Sequence, residues 1–163
     1  MKMRLLLVPI ILLHIACATH KLQTVSVAPN APEDRPVQVD SETRDELYAL
    51  EEPYIAQARA TYPSAKDRFL AGLPEKQSFF VVTRLHDSEG NAEQVFIAVD
   101  QIKDGKITGR IWNDVNLVRG FERAQVHTFT EGELIDWVIT RPDGSEEGNF
   151  VGKFIDEYNR SKQ

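Results

Sequence analysis

Ile135-Asp136-Trp137 places a carboxylate and an indole on neighbouring positions of an apolar run, and neighbours on a strand point to opposite faces. Joined by Asp114 or His127, Asp136 would give a hydrolase the pair of groups that hold and take a proton. The simpler reading is a buried Trp137 beside a solvated or turn-capping Asp136. A second group, Trp112-Asn113-Asp114, closes one apolar run and opens the longest connection, Asp114 to Arg123. Val115, Leu117, Val118 and Phe121 make that connection too apolar to stand freely in water, so it either meets a ligand or folds back to plug an end of the sheet. The candidate binding residues are therefore Trp112, Asn113, Asp114, Leu117, Phe121, Asp136 and Trp137.

Other chemistry has less to work with. Of the four histidines, His14 and His20 fall in or beside a leader-like segment, leaving His86 and His127 without the spacing of a metal site. Asp87-Ser88-Glu89-Gly90-Asn91 resembles part of a calcium loop but lacks the twelve-residue pattern and its closing glutamate, so a hairpin turn is the better reading. The nine glycines are scattered and form neither GxxxxGK[ST] nor GxGxxG. No G-x-S-x-G occurs either. Hence no catalytic residue, metal ligand or cofactor is assigned.

The first sixteen residues look like an export signal rather than part of a fold. Lys2 and Arg4 precede the apolar Leu5 to Leu13, and the small residues Ala16, Cys17 and Ala18 follow. The apolar stretch is shorter than the roughly 20 residues that span a bilayer. Leu13-His14-Ile15-Ala16-Cys17 resembles a lipoprotein box, with His14 as its one departure, and would place a lipid on Cys17. A lone cysteine in an exported chain has no internal disulfide partner, which favours that reading. The alternative is cleavage after Ala18, giving a soluble periplasmic or secreted protein. Without Asp at position 18, a lipidated chain in a cell with an outer membrane would be expected on that membrane, facing the periplasm.

Removing residues 1–16 takes the chain from 163 to 147 residues and, by loss of Lys2 and Arg4, its net charge from −6 to −8. That length suits one domain. The acidic balance argues against nucleic acid, whose phosphates are bound by Lys and Arg. Residues 17–40, with Pro29, Pro32 and Pro36 among polar neighbours, read as an extended tether. The expected partners are a membrane, through the lipid, and an envelope protein or small ligand.

What positions the candidate site is a run of strands. Ser78 to Leu85, Glu93 to Val99, Lys106 to Trp112, Ala124 to Phe129 and Leu134 to Thr140 are rich in β-branched and aromatic residues and separated by turn signals. Asp104-Gly105 suits a type I′ turn, in which both central residues need φ > 0. Ahead of them, residues 41–72 carry helical signals divided by Pro53 and Pro63: a capping box at Thr43 and Glu46, the stripe Tyr54, Ile55, Ala58 and Tyr62, and a stop at Gly72. Val151, Phe154, Ile155 and Tyr158 predict a closing helix, with Gly148-Asn149 as its cap. The expected fold is α+β: about five antiparallel strands, short N-terminal helices on one face, a C-terminal helix, and one domain over 41–160.

Ala58-Arg59-Ala60-Thr61, Phe69-Leu70, Gly90-x-x-Glu93, Ile107-x-Gly109-x-Ile111-x-Asn113 and Ile135-Asp136-Trp137, in that order and spacing, resemble the YegJ-like bacterial family, a domain of unknown function. The similarity runs from about Arg44 to Ile155. It implies a small α+β domain with no established activity and no catalytic residues. The family usually shows a glycine where this chain has Arg123-Ala124. The expectation is an exported envelope protein acting as a non-enzymatic binding module. The alternatives are an envelope hydrolase using Asp136, or an immunity-type protein that neutralises an envelope toxin.

Overall fold

Alternation of apolar residues with period two forces these segments to pair edge to edge, since only a sheet buries every second side chain while satisfying the backbone. The computed structural model describes residues 31–32 and 41–162, so the signal, Cys17 and most of the tether lie outside the described residues. Six antiparallel strands form one sheet: β1 (Ser78–His86), β2 (Ala92–Lys103), β3 (Lys106–Ile111), β4 (Val126–Thr130), β5 (Asp136–Thr140) and β6 (Glu146–Gly148). Their spatial order is β4-β3-β2-β1-β5-β6. Helix α1 (Ser41–Ala71) precedes the sheet and α2 (Phe150–Ser161) follows it.

The β2–β3 turn has φ +51° at Asp104 and +73° at Gly105, as a type I′ turn requires. Between β2 and β3 the register slips by one residue between Val99 and Gln101. Gly109 faces that bulge, and a Cβ there would stand 2.2 Å from the Ala98 carbonyl oxygen. Glycine is required here by close backbone approach. Where the resembled family shows glycine, Ala124 has φ +67°, a left-handed conformation.

Two features differ from expectation. The polar turn after Thr140 is a hairpin that returns as β6, with Thr140 opposite Glu146 and Val138 opposite Gly148. The three expected N-terminal pieces are one 31-residue helix that contains Pro53 and Pro63. Each proline removes one helix hydrogen bond and crowds the carbonyl four residues back. Both lie on the exposed side, where water can serve the released carbonyls, while Leu47, Glu51, Ile55, Ala58, Tyr62 and Ala65 form an unbroken buried stripe.

That stripe reaches both sides of the sheet. On the first face, Phe79, Val81, Ile97, Ile111 and Ile139 pack with Ala58, Tyr62 and Ala65 of α1 and with Val118 of the long loop. On the second face, Val82 joins Ile55 of α1, Ile135 and Val151 of α2. Phe80, Ala98 and Val138 form a neighbouring cluster covered by Trp112, Phe96 and Ala31. Ala31 and Pro32, read from sequence as tether, thus lie against the domain, and the Trp112 indole N–H donates to the Pro32 carbonyl at 3.2 Å. Among the described residues no helix is long and apolar enough to cross a membrane.

Candidate functional site

The first half of α1, the whole of α2 and the start of β2 enclose a space over the second face of the sheet. It is a cavity of about 510 Å³, lined in part by Leu47, Val82, Phe96, Leu117, Val151 and Ile155. Polar residues make up about half of the lining, among them Glu51, Glu93, Gln94, Asn113, Asn149 and Asp156. Its size falls within the range of small-ligand sites, which pair apolar walls with a few fixed polar groups.

Glu51 stands at the α1 end of the cavity and is 1% exposed. The Gln94 amide donates to it at 2.7 Å, and the Arg84 guanidinium approaches at 3.7 Å while lying 3.6 Å over the Tyr48 ring. Burial pushes the Glu51 carboxyl above the usual carboxylate range, with Gln94 and Arg84 pulling it back. A buried charge with these partners is a rigid fixture, since removing one partner would strand the other.

The long loop, which adds Asn116 and Leu117 to the lining, is organised by carboxylates. Glu93 accepts the backbone N–H groups of Asn116, Leu117 and Val118 at 3.0, 2.7 and 3.2 Å. Asp87 accepts from the backbones of Glu89, Asn91 and Arg119. It also takes the Asn91 side-chain amide, and these donors, that amide foremost, hold its carboxyl down to about 2. The β1–β2 hairpin therefore fixes the loop by anchoring successive backbone donors. The loop's own side chains plug the first face: Val115, Val118 and Phe121 pack on the core.

Of the seven residues singled out in the sequence, only Asn113 and Leu117 line the cavity. Asn113 is buried, and its side-chain oxygen accepts the Phe96 N–H at 2.5 Å. Leu117 is 46% exposed. Trp112 packs edge-on against Phe80, with Arg123 5.2 Å from its ring centre, and Asp114 pairs with Arg123 at the surface. Phe121 turns to the first face, edge-on to His127. Trp137 is a core residue that ties α1 to β5, its indole N–H meeting the Ala58 carbonyl at 3.1 Å and the Thr61 hydroxyl at 3.0 Å.

Asp136 is neither solvated nor capping a turn. It has no exposed surface, and Val82 opposite it fixes it on the second face. One carboxyl oxygen accepts its neighbour Trp137's N–H at 2.8 Å, and the other accepts the Val151 N–H of the first turn of α2 at 2.7 Å. Asn149, at the N-cap position with φ +56°, makes no side-chain cap bond, so Asp136 supplies the missing cap from a neighbouring strand. Burial, the dominant influence, pushes its carboxyl up to about 7 against the pull of those N–H groups. His127 sits on β4, opposite Gly109 and stacked on Phe129, so it belongs to the first face. Asp136 and His127 are thus on opposite faces with three strands between them. The structure does not bring that pair together.

Sequence reasoning missed Glu51, Gln94, Arg84 and Asn149. The available sign was Glu51 itself, a charge set four residues after Leu47 and four before Ile55 on an otherwise apolar stripe. Among the described residues no group of three or more His, Cys, Asp or Glu is placed to hold a metal ion. Comparisons with protein-family models, with curated proteins and with solved structures find no match to this chain.

Proposed function

We propose that this chain is an exported envelope protein whose domain binds a small ligand, without chemical conversion, in the cleft between α1, α2 and the second face of the sheet. The observation that carries the reading is the cavity itself: about 510 Å³, lined by apolar and polar side chains together, with two lining carboxylates, Glu51 and Glu93, held by internal partners. Such pre-organisation lowers the cost of ordering on binding. Asp136 is fully engaged beneath α2 and serves the cleft by holding one of its walls. Lipidation at Cys17 would place the domain at a membrane, and the YegJ-like resemblance accords with a small α+β module.

The test is retention of a co-purifying ligand by the protein isolated from the envelope, read by native mass spectrometry. Leu117→Trp fills the exposed side of the cleft at a position where the fold tolerates change. The wild type should carry an added mass that the variant lacks. Equal retention by both would overturn the assignment of the cleft.

A further inference from the structure

We propose that β4 is a dimerisation strand: a second copy of this chain pairs with it, antiparallel and about a two-fold axis at His127, so that two sheets become one. The inference is independent of the cleft. Among the described residues β4 is one margin of the sheet and β6 the other. An uncovered margin is a row of unpaired backbone donors and acceptors, and proteins that keep it single blunt it with charge, proline or shortness. β6 is blunted, being three residues long with two glutamates. β4 is not. From Ala124 to Thr130 there is no lysine, arginine, carboxylate, proline or glycine. Val126 is 52% exposed, and Thr128, two places on, is exposed as well.

The hydrogen bonds to β3 fix which groups face outward. Ile111 donates its N–H to the Gln125 carbonyl, and Glu131 donates to that of Gly105. Alternation along the ladder therefore turns the backbone of His127 and Phe129 toward β3 and that of Val126 and Thr128 outward. The Thr130 N–H is already taken by the Glu133 carboxylate at 2.9 Å. A copy centred at His127 sets Val126 opposite Thr128 on each side of the axis and closes four backbone hydrogen bonds with no group left over. Centring on Thr128 would instead aim the Val126 carbonyl at the occupied Thr130 N–H. The first register also brings Arg123 level with the other copy's Glu131, unlike charge to unlike. Each has a partner in its own chain, Asp114 and Lys66, so this pair orients the dimer rather than driving it. The axis consumes both β4 margins and leaves the two acidic β6 margins outside, so growth stops at two copies.

The experiment is sedimentation velocity on the mature chain in its Cys17→Ser form, which carries neither lipid nor thiol. Concentrations from about 1 to 300 µM cover the micromolar dissociation expected of a small interface. The sedimentation coefficient should rise with concentration to that of a dimer. Val126→Lys and Thr128→Lys, each at an exposed position, should weaken the dimer at least about tenfold with an unchanged circular dichroism spectrum. The two are separate variants, so misfolding of one leaves the other to decide. His127→Cys in the same background should give a disulfide-linked dimer under mild oxidation. The axis sets its two Cα atoms about 4.5 Å apart, within disulfide reach, whereas Thr130→Cys lies too far from the axis to cross-link. A monomer at every concentration would overturn the proposal and leave this margin to a strand of another protein. A dimer that both lysine variants keep, or a cross-link at residue 130 without one at 127, would overturn it too.

Discussion

Replacing Asp136 by Asn isolates the contest between burial and hydrogen bonding at the base of α2. Both carboxyl oxygens accept backbone N–H groups, from Trp137 at 2.8 Å and Val151 at 2.7 Å. An Asn can accept only one of them and turns an NH₂ toward the other. Near pH 4 the native carboxyl is itself protonated, and its hydroxyl oxygen remains a weak acceptor where an NH₂ is none, so the deficit there is about 1 kcal/mol. The pH dependence runs the other way. The folded carboxyl is pushed up from 3.8 to about 7, so the native state holds the proton more tightly than the unfolded chain. The stability it contributes is fully present below about pH 4 and is lost as pH rises through about 7, on the order of 4 kcal/mol at most. Asn does not titrate and escapes this loss. The two stability curves, from urea denaturation followed by tryptophan fluorescence between about pH 4 and 8, should therefore cross, the variant being equal or superior above about pH 7. Asp136→Ala, which strands both donors, should stay below the wild type at low pH by roughly twice the Asn deficit. A deficit for Asp136→Asn that widens with pH would refute the argument, showing that the N–H groups and the helix terminus outweigh burial.

Six further substitutions test the fold. Gly109→Ala drives a Cβ to 2.2 Å from the Ala98 carbonyl oxygen and should cost about 3 kcal/mol, whereas Gly144→Ala, in open space at φ +84°, should cost only about 1; thermal melts of the pair compare crowding with backbone strain. Ala124→Gly relieves a left-handed alanine and should raise stability by about 1 kcal/mol in urea titration. Phe121→Ser should destabilise by about 2–4 kcal/mol, while Leu117→Ser should stay within about 0.5, since only the first packs on the core. Trp137→Phe keeps an aromatic side chain but deletes the indole N–H and part of the buried volume, so its melt should show a loss of about 1–3 kcal/mol.

The sheet was readable because its signal is local: alternation marks Val95, Ile97 and Val99, and the Asp104-Gly105 turn announces the pairing of β2 with β3. Strand β6 was not, because its three residues, Glu146-Glu147-Gly148, carry no apolar rhythm and gain strand geometry only from β5 alongside. Pro53 and Pro63 misled for a related reason. Local preference sets a helix boundary at each, while burial of the stripe from Leu47 to Ala65 carries α1 through both. The candidate site was less legible still. Trp112, Asp114, Phe121 and Trp137 were chosen for type and position, but which face each serves depends on strand order. The cleft is made by residues far apart in sequence: Glu51 meets Gln94, 43 residues on, and Asp136 meets Val151, 15 residues on. No spacing rule reports such meetings.

The bond between the Trp112 indole and the Pro32 carbonyl sets where any leash would end. Were Cys17 embedded in a bilayer through its lipid, the slack would be counted to Pro32 rather than to Ser41. Those 15 residues can stretch to roughly 50 Å at the limit of chain geometry. Pro32 also borders the cleft. The mouth of the cleft would then be confined to a shell close above the lipid headgroups, sampling whatever accumulates there ahead of what diffuses in the open compartment.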